Sequence, residues 1–140
     1  IKKCFEELIL HKVDLSGIIL KPNMILSGTQ SKEKISSEEV SHKTLECLKN
    51  SVPSDVPGIA FLSGGQSESE ATENLNLINK NNNTNFIMTY SYGRALQQSA
   101  LKVWSKNIKE IEETQKIFNH RAKMCTLAAQ GKWVRELESK

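Results

Sequence analysis

Lys21 directly follows the apolar run Ile18-Ile19-Leu20 and directly precedes Pro22. An amine in that setting becomes a nucleophile when desolvation or a neighbouring cation lowers its pKa, because only the neutral form attacks a carbonyl. The imine formed in this way stabilises the carbanion needed to break a carbon–carbon bond. Pro22 biases Lys21 away from helical geometry, so its backbone is extended and its side chain has a fixed direction. A lysine at a strand exit is more often merely solvated. Lys12, Lys32, Lys34 and Lys80, which lie among polar residues, read that way, whereas Lys21 differs in its apolar neighbours.

Two further segments carry groups suited to anions. Ser63-Gly64-Gly65 precedes a helix start, where glycine lets backbone N–H groups approach a phosphate and the helix adds positive potential. Arg94, after Ser91-Tyr92-Gly93, offers the planar fork of donors that fits phosphate or carboxylate, and Ser91 adds a hydroxyl. Taken singly, the first is as well explained by a tight turn and the second by an exposed arginine. What favours chemistry is that a lysine and two anion-binding segments each follow a short apolar run.

The other reactive residue types do not gather. Cys4, Cys47 and Cys125 are odd in number and widely spaced, as free thiols in a reducing compartment are. His11, His42 and His120 lack ligand spacing, so no metal is expected. Trp104 and Trp133 read as packing or partly exposed aromatics.

Positioning those groups requires strands whose ends meet, and the chain supplies three candidates: 18–20, 59–62 and 86–90. Helices are predicted between and around them. Residues 2–11 place Cys4 or Phe5, Leu8 and Ile9 on one side. Ser36 with Glu39, and Ser67 with Glu70, have capping-box spacing. Val40, Leu45, Leu48 and Val52 then carry one apolar face, and Ala71, Leu75 and Ile78 another. The Asn-rich stretch 79–85 reads as a loop. Residues 95–104 and 108–129 follow as helices, the last with a stripe of Ile111, Phe118, Ala122, Cys125 and Ala129, Met124 also in the core, and a stop at Gly131. Strands followed by helices predict an α/β fold with buried parallel strands. Periodicity does not separate a doubly wound sheet from a barrel.

A chain of 140 residues with 38% hydrophobic and 25% charged residues is globular by composition. Its 19 basic and 16 acidic residues give a net charge of +3 without a basic block, which argues against nucleic-acid binding. No apolar run approaches the roughly 20 residues of a membrane span. No leader pattern opens the chain, which starts at Ile1 inside a helical pattern. A cytoplasmic protein cut from something longer is expected.

The segments Leu20-Lys21-Pro22-Asn23-Met24, Pro57 to Glu68 and Ser91 to Gln97 together resemble class I fructose-bisphosphate aldolases, in that family's order, with Asn74-Leu75-Asn76 and Ile78-Asn79 adding to the match. The resemblance runs to about Gly131. It implies a TIM (β/α)8 barrel, of which residues 1–140 are the C-terminal part, about strands six to eight with their helices. It also implies a Schiff-base role for Lys21 and binding of substrate phosphate by Ser63, Gly64, Gly65, Ser91 and Arg94. The family cleaves fructose 1,6-bisphosphate in glycolysis without metal or cofactor, usually as a homotetramer. Ser16-Gly17 departs from the family's Glu-Gly, and residues 81–85 replace a more apolar segment. A complete barrel needs about 250 residues, so the family's acid/base carboxylates are expected upstream and its terminal tail downstream, leaving this chain inactive alone. The contrasting expectation is an inactive fragment or paralogue that keeps only phosphate or protein binding.

Overall fold

Ser36 and Ser67 start helices as their spacing predicts. In the computed structural model, which describes residues 1–139, each serine hydroxyl accepts from the N–H three residues on, that of Glu39 or Glu70. At Ser67 the Glu70 carboxylate also accepts from the Ser67 N–H, closing the capping box, whereas Glu39 turns to Lys43 instead. The elements, in order, are α1 (Lys2–Leu10), a 3-10 turn (Leu15–Gly17), β1 (Ile19–Leu20), α2 (Ser37–Ser51), β2 (Gly58–Phe61), α3 (Glu68–Asn81), β3 (Ile87–Tyr90), α4 (Arg94–Trp104), α5 (Ile111–Ala129) and a final 3-10 turn (Arg135–Ser139).

The strands form one parallel sheet in the order β1-β2-β3, as the alternation of strands and helices predicts. Ile19, Gly58 and Ile87 lie side by side in register, followed by Leu20, Ile59 and Met88. The second row faces the helices: Ile59 is fully buried and Met88 nearly so. The first row faces outward. Ile19 is 62% and Ile87 75% exposed, which corrects the expectation of a buried first strand. Alternation sends every second residue to the other face, and the helices described cover only one face.

On the covered face, α3 packs against α2, α4 and α5, with Ala71, Leu75 and Ile78 fully buried as expected. Three other expectations need correction. In α1 only Phe5 is buried, and Ile9 is 57% exposed. The helix α3 runs on through Asn79, Lys80 and Asn81, because Asn79 Nδ2 donates back to the Leu75 carbonyl and Asn81 Nδ2 to Ser41 Oγ on α2. The loop is therefore confined to residues 82–86. In α5 the buried set is Arg121, Met124, Cys125 and Ala128, while Ile111 and Phe118 are exposed. The first turns of α5 border an open cavity shared with Leu101 and Trp104 of α4. Gly131, at φ 67°, stops the helix as predicted.

Candidate functional site

The sheet ladder continues past the ends of the strands. Leu62 N–H donates to the Pro22 carbonyl at 3.0 Å and Ser91 N–H to the Phe61 carbonyl at 2.8 Å. The three segments singled out in the sequence therefore leave the sheet together, at its carboxyl edge. Continued alternation places Lys21 on the face of Ile19, and Thr89 and Ser91 on the face of Ile87; all five are exposed. Lys21 and Ser91 flank β2 at roughly 10 Å, two strand spacings.

Gly64 and Gly65 adopt positive φ, 57° and 86°, and are exposed, so the loop turns back sharply after β2. A Cβ on Gly64 would overlap the Asn23 side chain, so the loop after β1 lies directly against the loop after β2. Ser63 differs from the rest of the predicted set. It is buried, and its carbonyl accepts from Gln66 N–H at 3.0 Å and from Gln66 Nε2 at 2.8 Å.

The two helix starts at this edge are not equivalent. At α3, Glu70 occupies the Ser67 N–H, and that hydrogen bond holds its carboxyl below the usual range. The positive end of α3 is thus already answered by acidic side chains, and the anion-binding capacity of this segment lies in its glycine backbone. At α4, Gly93 is the N-cap and there is no side-chain cap. Arg94, exposed in the first turn, adds its charge to an open helix start.

Side chains missed in the sequence fasten this edge. Gln66 accepts from Asn74 Nδ2 at 2.7 Å, Tyr92 OH donates to the Ala71 carbonyl at 2.9 Å, and the Glu68 carboxylate accepts from Ser99 N–H at 2.9 Å. These bonds tie the loops after β2 and β3 to α3 and α4. Burial pushes the Tyr92 phenol far above its ordinary value, so it serves as a neutral donor. The spacing of Gln66 to Ser63, three residues, was the one available signal.

Of two cavities among the described residues, one lies away from this edge and one beside it. The larger, about 590 Å³, separates α4 from α5 around Leu101, Trp104, Ile111 and Phe118 and has no titratable group in its lining. The other, about 290 Å³, adjoins the glycine loop and is lined by residues including Ser27, Lys34, Gly64, Gly65, Gln66 and Asn74. Among the described residues, no three His, Cys, Asp or Glu side chains gather as metal ligands, and no helix is long and apolar enough to cross a membrane.

Comparison with known proteins places this arrangement in a family context. The family model described as fructose-bisphosphate aldolase class-I matches residues 1–140. A probable class 1 fructose-bisphosphate aldolase of Xylella fastidiosa is 42% identical over 134 residues, covering 95% of this chain and 40% of that relative. The cytosolic fructose-bisphosphate aldolase 4 of Arabidopsis thaliana is 45% identical over 129 residues, 91% of this chain and 33% of that one. In three dimensions the chain superposes with a TM-score of 0.91 on fructose-bisphosphate aldolase of Plasmodium falciparum, solved with TRAP and a small-molecule inhibitor, at 38% identity over 95% of this chain and 38% of the other. The chain thus spans about 40% or less of the length of these relatives.

Proposed function

Because the chain belongs to the class I fructose-bisphosphate aldolase family, we propose that the protein carrying it is a Schiff-base lyase that cleaves fructose 1,6-bisphosphate to dihydroxyacetone phosphate and glyceraldehyde 3-phosphate. The observation that carries this reading is the meeting of three strand ends at one edge, with Lys21 and Ser91 on one face and the Gly64-Gly65 turn between them. Residues 1–140 are then the C-terminal part of a (β/α)8 domain, about strands six to eight. A sheet ordered β1-β2-β3, with one face uncovered, fits a segment of a closed barrel. The Arabidopsis relative's cytosolic name supports a cytoplasmic location, and a homotetramer is what the family resemblance implies.

In this mechanism the neutral Nζ of Lys21 adds to the C2 ketone, whose oxygen leaves as water, giving an iminium. As the C3–C4 bond breaks, its electron pair passes from C3 toward the iminium nitrogen, and the C4 hydroxyl gives up its proton to a base as the aldehyde forms. Protonation at C3 and hydrolysis then release dihydroxyacetone phosphate and restore the lysine. Gly64, Gly65, Ser91 and Arg94 hold phosphate through backbone N–H groups, a hydroxyl and the guanidinium. Ser63, at the start of the turn, adds its hydroxyl to the same set, while its carbonyl anchors Gln66. The acid/base carboxylates belong to the rest of the barrel.

Borohydride reduction in the presence of dihydroxyacetone phosphate, followed by peptide mass analysis of the full-length protein, tests the reading. An adduct is expected on the peptide bearing Lys21. Lys21→Arg, which keeps the charge but forms no imine, is expected to abolish it and to lower cleavage by roughly 10⁴-fold or more, the scale on which a nucleophile's removal acts. A protein that only binds phosphate would yield no adduct.

A further inference from the structure

Gln66 faces the carbonyl of Ser63 at 2.8 Å, and a carbonyl only accepts, so the facing atom is Nε2. Its Oε1 is thereby turned toward Asn74, whose Nδ2 donates at 2.7 Å. That orientation leaves Asn74 Oδ1 buried with no partner among the described residues. Buried amides are ordinarily satisfied on both sides. Here one side is given up, and the amide that results aims Gln66 in a single direction.

The same Nε2 lies 3.7 Å from Met24 Sδ, on the segment that follows Lys21. Met24 N–H donates to Asn23 Oδ1 at 3.0 Å, and the Asn23 amide fills the space that a Cβ on Gly64 would occupy. One side chain, backed by α3, therefore touches both the loop after β1 and the turn after β2. Neither Gln66 nor Asn74 was assigned a role by the chemistry above.

We propose that Gln66, aimed by Asn74, is a positioning residue that sets the Gly64-Gly65 anion turn at the distance from Lys21 that a phosphorylated ketone spans. The proposal rests on the aldolase reading of the same site. It concerns discrimination: a ketone without phosphate needs Lys21 but not the turn, so only the phosphorylated substrate depends on Gln66.

The test compares borohydride trapping by the full-length protein with dihydroxyacetone phosphate and with dihydroxyacetone, both below saturation. Gln66→Met keeps the volume and removes the donor, and Asn74→Leu removes the group that aims it. Each variant is expected to lose about tenfold or more in adduct formation with the phosphorylated ketone, the scale of a misplaced binding group, and about twofold or less with the unphosphorylated one. Equal losses with both ketones, or no loss with either, would overturn the proposal. Loss of the helical spectrum in both variants would overturn it too, because the pair would then support the fold rather than aim the turn. Absence of any adduct in the unmodified protein would instead defeat the aldolase reading itself.

Discussion

Gly64 and Gly65 share positive φ but not surroundings, and this makes them separable by substitution. Nothing lies within 4 Å of a Cβ on Gly65, whereas one on Gly64 meets Asn23. Gly65→Ala is expected to cost about 1 kcal/mol, the strain of a left-handed residue. Gly64→Ala adds the overlap and is expected to cost about 2 kcal/mol or more, measured by chemical denaturation. Equal costs would mean that Asn23 does not brace the turn. At this scale the sequence was informative where a residue acts through its own backbone: a Gly-Gly pair after an apolar run is a turn wherever the chain goes. It assigned no role to Gln66 or Asn74: the Gln66–Ser63 spacing is local, but the contacts of Gln66 with Asn74 and Met24 join residues eight and 42 positions apart.

The helices show how far a local period reaches. The stripe through Ile111 and Phe118 is a sound helical pattern, yet those residues are exposed, lining the open cavity between α4 and α5. The period fixes which residues share a face, and only neighbours decide whether that face is buried. In the second half of the helix the buried Arg121 pairs with Glu138 on the final turn, NH2 to Oε1 at 2.8 Å, and also donates to Thr72 on α3 at 2.8 Å. Trp133 Nε1 donates to the same carboxylate at 2.9 Å, so residues 133–138 are strapped across α3 and α5. Burial acts to raise the carboxyl of Glu138, but hydrogen bonds and charge from Arg121, with Trp133, outweigh it and hold the group below the usual carboxylate range. A folded pKa below the unfolded one gives stability that is complete above the unfolded value, about 4.3, and lost as pH falls through the folded value. The protection of amides in residues 133–139 against hydrogen exchange, relative to the unfolded chain at the same pH, should therefore fall as the medium is acidified below about pH 4. Glu138→Gln, which leaves Arg121 buried without its partner, is expected to cost about 2–3 kcal/mol at neutral pH and to remove most of that acid sensitivity.

For the whole molecule, the consequential feature is the uncovered face of the sheet. Burying an isoleucine fully is worth about 1.5–3 kcal/mol, and Ile19 and Ile87 stand exposed in one row with only Gly58 between them. The outer edges of β1 and β3 also carry unpaired backbone groups. The 140-residue chain on its own is therefore expected to elute in size-exclusion chromatography well above its 15.7 kDa mass. Ile87→Lys, which charges the open row, should shift it toward monomer. Monomeric behaviour of the unsubstituted chain would mean that the open face is not sticky enough to matter.

The sequence by itself determined the succession of strands and helices, the stop at Gly131, and the three segments where chemistry belongs. Each of these follows from forces acting within a few residues: periodicity, capping and the steric limits of proline and glycine. The tertiary structure alone decided which face of the sheet is covered, that Asn23 lies against Gly64, that Ser63 is buried, and that Gln66 joins the loop after β1 to the turn after β2. Those are contacts between segments about 40 residues apart in the chain. They arise because parallel strands bring their carboxyl ends to one edge, and no local pattern encodes which side chains will meet there.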